Sequence, residues 1–343
     1  MEIPKGFKIR IEHEDDYTHP IEEAKNYNES MYINLFDFSK KMGGWFRIGN
    51  RPNEGHAEMT CCVYLPDGSV GFMYGRPNIS GNEELNAGGM RFEIVEPFKK
   101  LKLTYDGKVC LLKNPFEMAK PKQAFMNNPI LDCKVAIDYY MTSPVYGGEF
   151  VHEDGSQIDL KAEESFARAH YEQHVGGSGT IKVGDKEWAL DGFGLRDHSW
   201  GPRYWQNIFM YRWLPMSFDK DFAVMISVIE NAKGEFRRSG MVQHGNEYHM
   251  IKDTTIETDW DANWYQTGMR VWAKTDHREY EIEGKILSLI PLRNVRKSPD
   301  GKVLHTRITE AMTEYKCDGK VGYGMSEYLD QIEDNKPVES DVK

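Results

Sequence analysis

The segment Arg196-Asp-His-Ser-Trp-Gly-Pro-Arg203 puts two arginines, a carboxylate and an imidazole beside an indole within one short stretch. Tyr204 and Trp205 follow directly. Charged groups resist burial unless they are paired, and pairing in a low-dielectric site moves their pKa values. Such a segment is either a reactive pocket or a buried brace. Read as a pocket, Asp197 is the acid or base. A carboxyl kept protonated by apolar surroundings can protonate carbon, and aromatic faces stabilise the resulting cation. Hydration, dehydration, double-bond isomerisation and cyclisation all use those parts. His198 titrates near neutrality and is the candidate proton shuttle. Read as a brace, Asp197 pairs with Arg196, Arg203 or a backbone amide, His198 is structural, and Trp200 is core. In a strand, Asp197 and Ser199 share one face while Arg196, His198 and Trp200 share the other.

Glu172 is a further candidate, tuning Asp197 or pairing with an arginine. It lies in His170-Tyr-Glu-Gln-His174. The order is wrong for a His-Glu-x-x-His zinc motif, and a strand separates the two histidines by about 13 Å. Val175-Gly-Gly-Ser-Gly179 stops a helix, so no metal is expected. Glu310 and Glu327 stand in C-terminal strand patterns, and Arg47 and Arg51, after Trp45, are possible partners for them. A carboxylate facing a barrel interior is functional or ion-paired. Asn53 suits a turn. The candidate ligand contacts are Trp200, Tyr204, Trp205, Arg196, Trp45 and Glu327, with Tyr204 and Trp205 equally readable as core. Gly192-Phe-Gly194 lacks the third glycine of a dinucleotide loop, and neither a Walker loop nor a Gly-x-Ser-x-Gly elbow occurs. No cofactor is expected.

The elements that must hold these residues read as strands throughout. Glu58–Tyr64 and Ser69–Tyr74 flank the turn Leu65-Pro-Asp-Gly68. Arg91–Val95 and Lys100–Tyr105 run to a turn at Asp106-Gly107, with Val109–Leu112 beyond it, and Leu131–Tyr140 is another run. The second half repeats the style, from Phe222–Ile229 to Thr306–Tyr315 and Val321–Tyr328. Only Pro20–Tyr27 and Asp159–Ala169 read as helices. This spacing suits antiparallel barrels or sandwiches. The expected organisation is a first β domain over 1–160, a connecting segment over 161–204 that carries the signature, and a second β domain over 205–343. Ligand sites favour such junctions.

A chain of 343 residues suits roughly two domains. Its net charge of −11 argues against nucleic acid, which demands concentrated positive charge. No apolar run reaches the roughly 18 residues of a membrane span, and the N-terminus lacks an apolar leader. A cytoplasmic protein without stable membrane insertion is expected. The five cysteines are odd in number and lack Cys-x-x-Cys spacing, so they read as reduced, buried thiols. Cys61 and Cys62 should face opposite ways in a strand.

Arg196-Asp-His-Ser-Trp-Gly201 resembles the Asp-His-x-Trp-Gly signature of the carotenoid 1,2-hydratase and AttH-like lipocalin superfamily. It resembles still more a poorly characterised bacterial branch of that group, along with Gly43-Gly-Trp-Phe-Arg-Ile-Gly-Asn-Arg-Pro-Asn53, Tyr171-Glu-Gln173 and Gly322-Tyr-Gly-Met-Ser-Glu-Tyr328. The resemblance spans roughly residues 30 to 330 and implies an all-β protein of two lipocalin-like (calycin) antiparallel barrels packed side by side, with few short helices. It also implies a pocket for a hydrophobic small molecule. Relatives include carotenoid and kievitone hydratases, fungal cyclases and lipid carriers. The implied activity is that of a cofactor-independent hydratase, dehydratase or cyclase on an isoprenoid, polyketide or aromatic molecule, the alternative being a carrier that leaves its lipid unchanged. Ser199 and the preceding Gly-x-Gly-x-Arg depart from the hydratases, so a carotenoid substrate is not carried over.

Overall fold

A computed structural model describes residues 5–159, 167–204, 207–231, 233–297, 301, 303–338 and 342. Sixteen antiparallel strands form two rings. The first ring uses β1 (Tyr27–Asp37), β2 (Met42–Arg51), β3 (His56–Tyr64), β4 (Val70–Gly75), β5 (Lys100–Leu112), β6 (Ile130–Met141), β7 (Ala169–Val183) and β8 (Lys186–Pro202). Each pairs with the next in sequence, and β8 returns to β1. The second uses β9 (Ile208–Ser217), β10 (Phe222–Asn231), β11 (Phe236–His244), β12 (Glu247–Trp260), β13 (Gln266–Thr275), β14 (Glu279–Lys297), β15 (Val303–Cys317) and β16 (Lys320–Glu333). It closes where β16 pairs with β9. Both are up-and-down barrels of eight strands, the size at which side chains fill the interior.

Alternation along each strand sorts residues between interior and exterior. On β1, Met31, Ile33 and Leu35 join the first barrel's core, while Tyr32 and Phe36 face the second barrel. Cys61 and Cys62 divide in the same way, and all five cysteines are buried and free. The second core gathers Leu214, Val224, Val271, Tyr315 and Tyr328 among others. The barrels meet side by side over Tyr64, Phe72, Ile290, Met312 and Met325. Tyr32 packs edge-on against Trp213 at 5.2 Å, Phe38 stacks on Tyr323 at 5.0 Å, and the Tyr64 hydroxyl donates to the Glu310 carbonyl at 3.1 Å.

Three expectations change. Residues 169–202, expected within a connecting segment, instead supply β7 and β8, two full members of the first ring. Asp106-Gly107, expected as a turn, lies inside the continuous strand β5. There the Tyr105 ring covers Gly107, where a Cβ would lie 2.5 Å from the Tyr105 hydroxyl, which donates to the Lys108 carbonyl at 2.8 Å. Pro20–Tyr27 is no helix: its carbonyls at Glu22 and Ala24 accept from Asn53 at 2.7 and 2.9 Å, and Tyr27 opens β1. A segment so short cannot nucleate a helix against such competition. The other candidate helix, Asp159–Ala169, falls mostly outside the described residues, and Ala169 opens β7. Among the described residues, one α-helix forms, the short Pro121–Asn127.

Candidate active site

Gly184-Asp185 joins β7 to β8, and the hairpin register sets Glu172 opposite Asp197. The same cross-strand row continues through Tyr32, Arg47 and Thr60 on the outside of the first barrel. A second row, on the outside of the second barrel, pairs Glu310 with Glu327, then Trp213 and Ser227. The two rows wall a cavity of about 1220 Å³ between the barrels. Ligand space here lies outside both barrels, because their interiors are filled by core. Glu310 and Glu327 therefore do not face a barrel interior.

Two charged groups pair on this wall. His170 Nε2 hydrogen-bonds Asp197 Oδ2 and lies 3.8 Å from Glu172 Oε1. Burial opposes charge on Asp197, but the adjacent His170 outweighs it and holds the carboxylate low. Burial also lowers His170, and Asp197 more than restores it. The pair is a carboxylate with an imidazolium, and His170, at 40% exposure, is its accessible end.

Of the four other carboxyls on the cavity wall, Glu58 is also held low, beside Arg47, and three go the opposite way. Burial pushes Glu310 up to about 8 against the pull of Arg47, and its Oε2 has no hydrogen-bond partner. Burial and then the charge of Asp197 push Glu327 to about 8, again against Arg47, and Tyr211 donates its hydroxyl to Glu327 Oε1. Burial raises Glu172 to about 7, with His170 opposing and Asp197 reinforcing. Trp213 Nε1 donates to Glu172 Oε1 at 2.7 Å, and Oε2 is unpartnered. A carboxyl with these values carries a proton near neutrality and can donate it.

The signature strand splits between two tasks. Asp197 and Ser199 face the cavity, with Arg203 Nη2 donating to the Ser199 hydroxyl. Arg196, His198 and Trp200 point to the barrel side and do not line the cavity; their expected shuttle and ligand roles give way to a plug. Arg196 Nη1 donates to Asp16 Oδ1 at 2.7 Å, its other nitrogens to Gln173 Oε1, and the Tyr171 hydroxyl also donates to Asp16 at 2.7 Å. His198 Nε2 lies 2.9 Å from Glu29 Oε1, and His19 stacks on Trp200 at 3.9 Å. Burial raises Glu29, but hydrogen bonds from His19 and His198 bring it down to about 2. These contacts fasten residues 13–19 across the barrel end.

Of the remaining candidates, Trp45, Glu172 and Glu327 line the cavity. Tyr204 follows β8, where its carbonyl accepts from Asn207 at 3.1 Å, and is not a lining residue. Trp205 lies outside the described residues. Arg47 reaches the wall, as do His170, Tyr211, Trp213 and Arg203. Sequence reading overlooked His170 as the partner of Asp197. The Gly184-Asp185 hairpin signal fixes that register and could have found it. Among the described residues, two groups bring metal-ligand atoms within 4.8 Å of one another: His19, Glu29 and His198, and His170, Glu172 and Asp197. In the first, Glu29 is already saturated by Tyr27, Asn82 and both histidines. The second faces the cavity, where a cation would have to displace the Asp197–His170 hydrogen bond.

Residues 12–332 match the family model described as a domain of unknown function, DUF7064. The chain belongs to that family. No curated protein matches the sequence. Among solved structures, CghA in complex with Sch210972 aligns with a TM-score of 0.54 and 10% identity, over 89% of this chain and 88% of that one. NE1406 of Nitrosomonas europaea, described as AttH-like, aligns at 0.53 and 12% identity, over 91% of this chain and 96% of that one. Kievitone hydratase from Nectria haematococca aligns at 0.51 and 9% identity, over 88% of each chain. These likenesses support the AttH-like double-lipocalin resemblance at the level of the fold.

Proposed function

We propose that the chain is a cofactor-independent acid–base lyase or isomerase acting on a hydrophobic small molecule between the barrels. The observation that carries this reading is the pair Glu310 and Glu327. They face the cavity as cross-strand partners, and burial keeps both protonated near neutrality. Glu327 is the acid: it is half-buried on the cavity wall and oriented by the Tyr211 hydroxyl. It gives a proton to an alkene carbon or a carbonyl oxygen, and the faces of Tyr32, Trp45 and Trp213 stabilise the cation. Asp197, held ionised beside His170, takes the proton from attacking water or, in elimination or isomerisation, from the neighbouring carbon. Glu172 tunes that pair. Isoprenoid, polyketide and aromatic molecules all suit so large a cavity. The proposed compartment is the cytoplasm, which keeps five free thiols reduced.

The test is mass spectrometry of a lipophilic extract incubated with wild-type protein, Glu327→Gln and Asp197→Asn. A compound that gains or loses water, or isomerises, only with wild type supports the enzyme. A compound retained by all three folded proteins and altered by none overturns it in favour of a carrier.

A further inference from the structure

Although the chain carries a net charge of −11, the cavity is basic. Among the described residues, seven arginines line it and no lysine does. Of its five carboxyls, Glu172, Glu310 and Glu327 are held protonated toward neutrality, which leaves Glu58 and Asp197 as the ionised ones. The imbalance concentrates where β2 meets the end of β8. Arg47 and Arg51 project from alternate positions of β2, Arg51 donating from Nε to the neighbouring Glu54 Oε1 at 3.0 Å, and Arg203 follows β8. Glu58 is shared by Arg47 and Arg76 at 3.4 Å each. Gly49 lies between Arg47 and Arg51, and a Cβ there would sit 2.6 Å from Arg47 Nη2, so the glycine makes the seat for this guanidinium. Burial, then the charge of Arg47, push Arg203 down to about 9. Next to this cationic end the wall is apolar: Trp45, Phe72, Met118, Phe125 and Leu292.

We infer that the molecule bound between the barrels has an apolar body and an anionic head, a carboxylate or a phosphate, that docks on Arg47, Arg51 and Arg203. This rests on reading the cavity as the substrate site. Arginine forks match both heads with paired, charge-assisted hydrogen bonds, which a lysine cannot do. The head fixes one end of the molecule, and its apolar body runs along the aromatic wall toward Glu327 and Asp197.

Calorimetric titration of the full chain with dodecanoate, dodecyl phosphate and dodecan-1-ol tests this. At least one anion should bind roughly tenfold or more tighter than the alcohol, and the better anion identifies the head. Arg47→Gln and Arg51→Gln should each erase most of that preference while alcohol binding persists. If Arg47→Gln fails to fold, Arg51→Gln and the wild-type comparison carry the test. Equal binding of all three probes, or a preference untouched in both folded variants, overturns the inference. Glu327→Gln keeps the two readings apart, because it should lose turnover and retain the anion preference. An intact preference with no turnover of any compound removes only the catalytic reading. Turnover restricted to neutral molecules removes only this one.

Discussion

On the barrel side of β8, Arg196 is completely buried yet donates from three nitrogens, to Asp16 and Gln173, and His198 is engaged at both ring nitrogens by Glu29 and Tyr171. One residue along, on the cavity side, Asp197 has its imidazole, while Glu172 and Glu310 each keep an oxygen without a partner. Both groups of carboxyls are buried, and the number of hydrogen-bond partners decides the outcome. Saturation brings Glu29 down to about 2, and scarcity lifts Glu310 to about 8. Buried polar groups that are satisfied hold structure, and those left short are available to a ligand.

The largest effect that would sharpen this contrast is Glu327→Gln. It should cost roughly 10²- to 10⁴-fold in turnover, with a denaturation midpoint at or above that of wild type. Retained turnover would remove Glu327 as the acid. On the other face, Asp16→Ala leaves Arg196 buried without its counter-charge. It should cost about 3–5 kcal/mol in urea unfolding, while the folded fraction keeps its ligand affinity. A variant as stable as wild type would show that the plug is ornamental.

The two faces should also respond to pH with opposite sign. Glu310 is raised, so the unfolded chain sheds its proton above about 4.5 while the folded protein keeps it to about 8. Its stabilising contribution is full below 4.5 and is lost as pH rises through 8, so Glu310→Gln should gain on wild type across that window in thermal melts. Glu29 is lowered, so its contribution is present above about 4.5 and lost as pH falls toward 2. Parallel slopes for Glu310→Gln and Glu29→Gln against wild type would erase the distinction. Smaller still, Trp213→Phe removes one hydrogen bond from Glu172 and should cost about 1 kcal/mol, read as a displaced limb in the pH–rate profile. Chelator treatment should leave turnover unchanged. Loss restored by a divalent cation would reassign His170, Glu172 and Asp197 to a metal.

Period-two alternation was enough to separate Asp197 and Ser199 from Arg196, His198 and Trp200, since it depends only on the strand itself. It could not say which side met the ligand. That depends on Tyr32, Trp213 and Glu327, brought together from three strands far apart in sequence. The partners of the plug, Asp16, His19 and Glu29, lie about 170 to 180 residues before the β8 side chains they contact and leave no local mark there. The hairpin around Leu65–Gly68 was legible from turn chemistry. Asp106-Gly107 misled because a glycine covered by its neighbour's aromatic ring has the same sequence as a turn.

The cavity belongs to neither barrel alone. Its wall comes from both rings, and the chain passes between them once, from Pro202 to Ile208. Each ring closes its own hydrogen bonds around its own core. A chain severed in that tether would thus present an assembly problem. Two halves would meet at a rate set by their concentration, and the molecule lodged between them would work as a chemical dimeriser. In the intact chain the tether supplies that local concentration, so a ligand too weak to recruit a free partner can still find the site built.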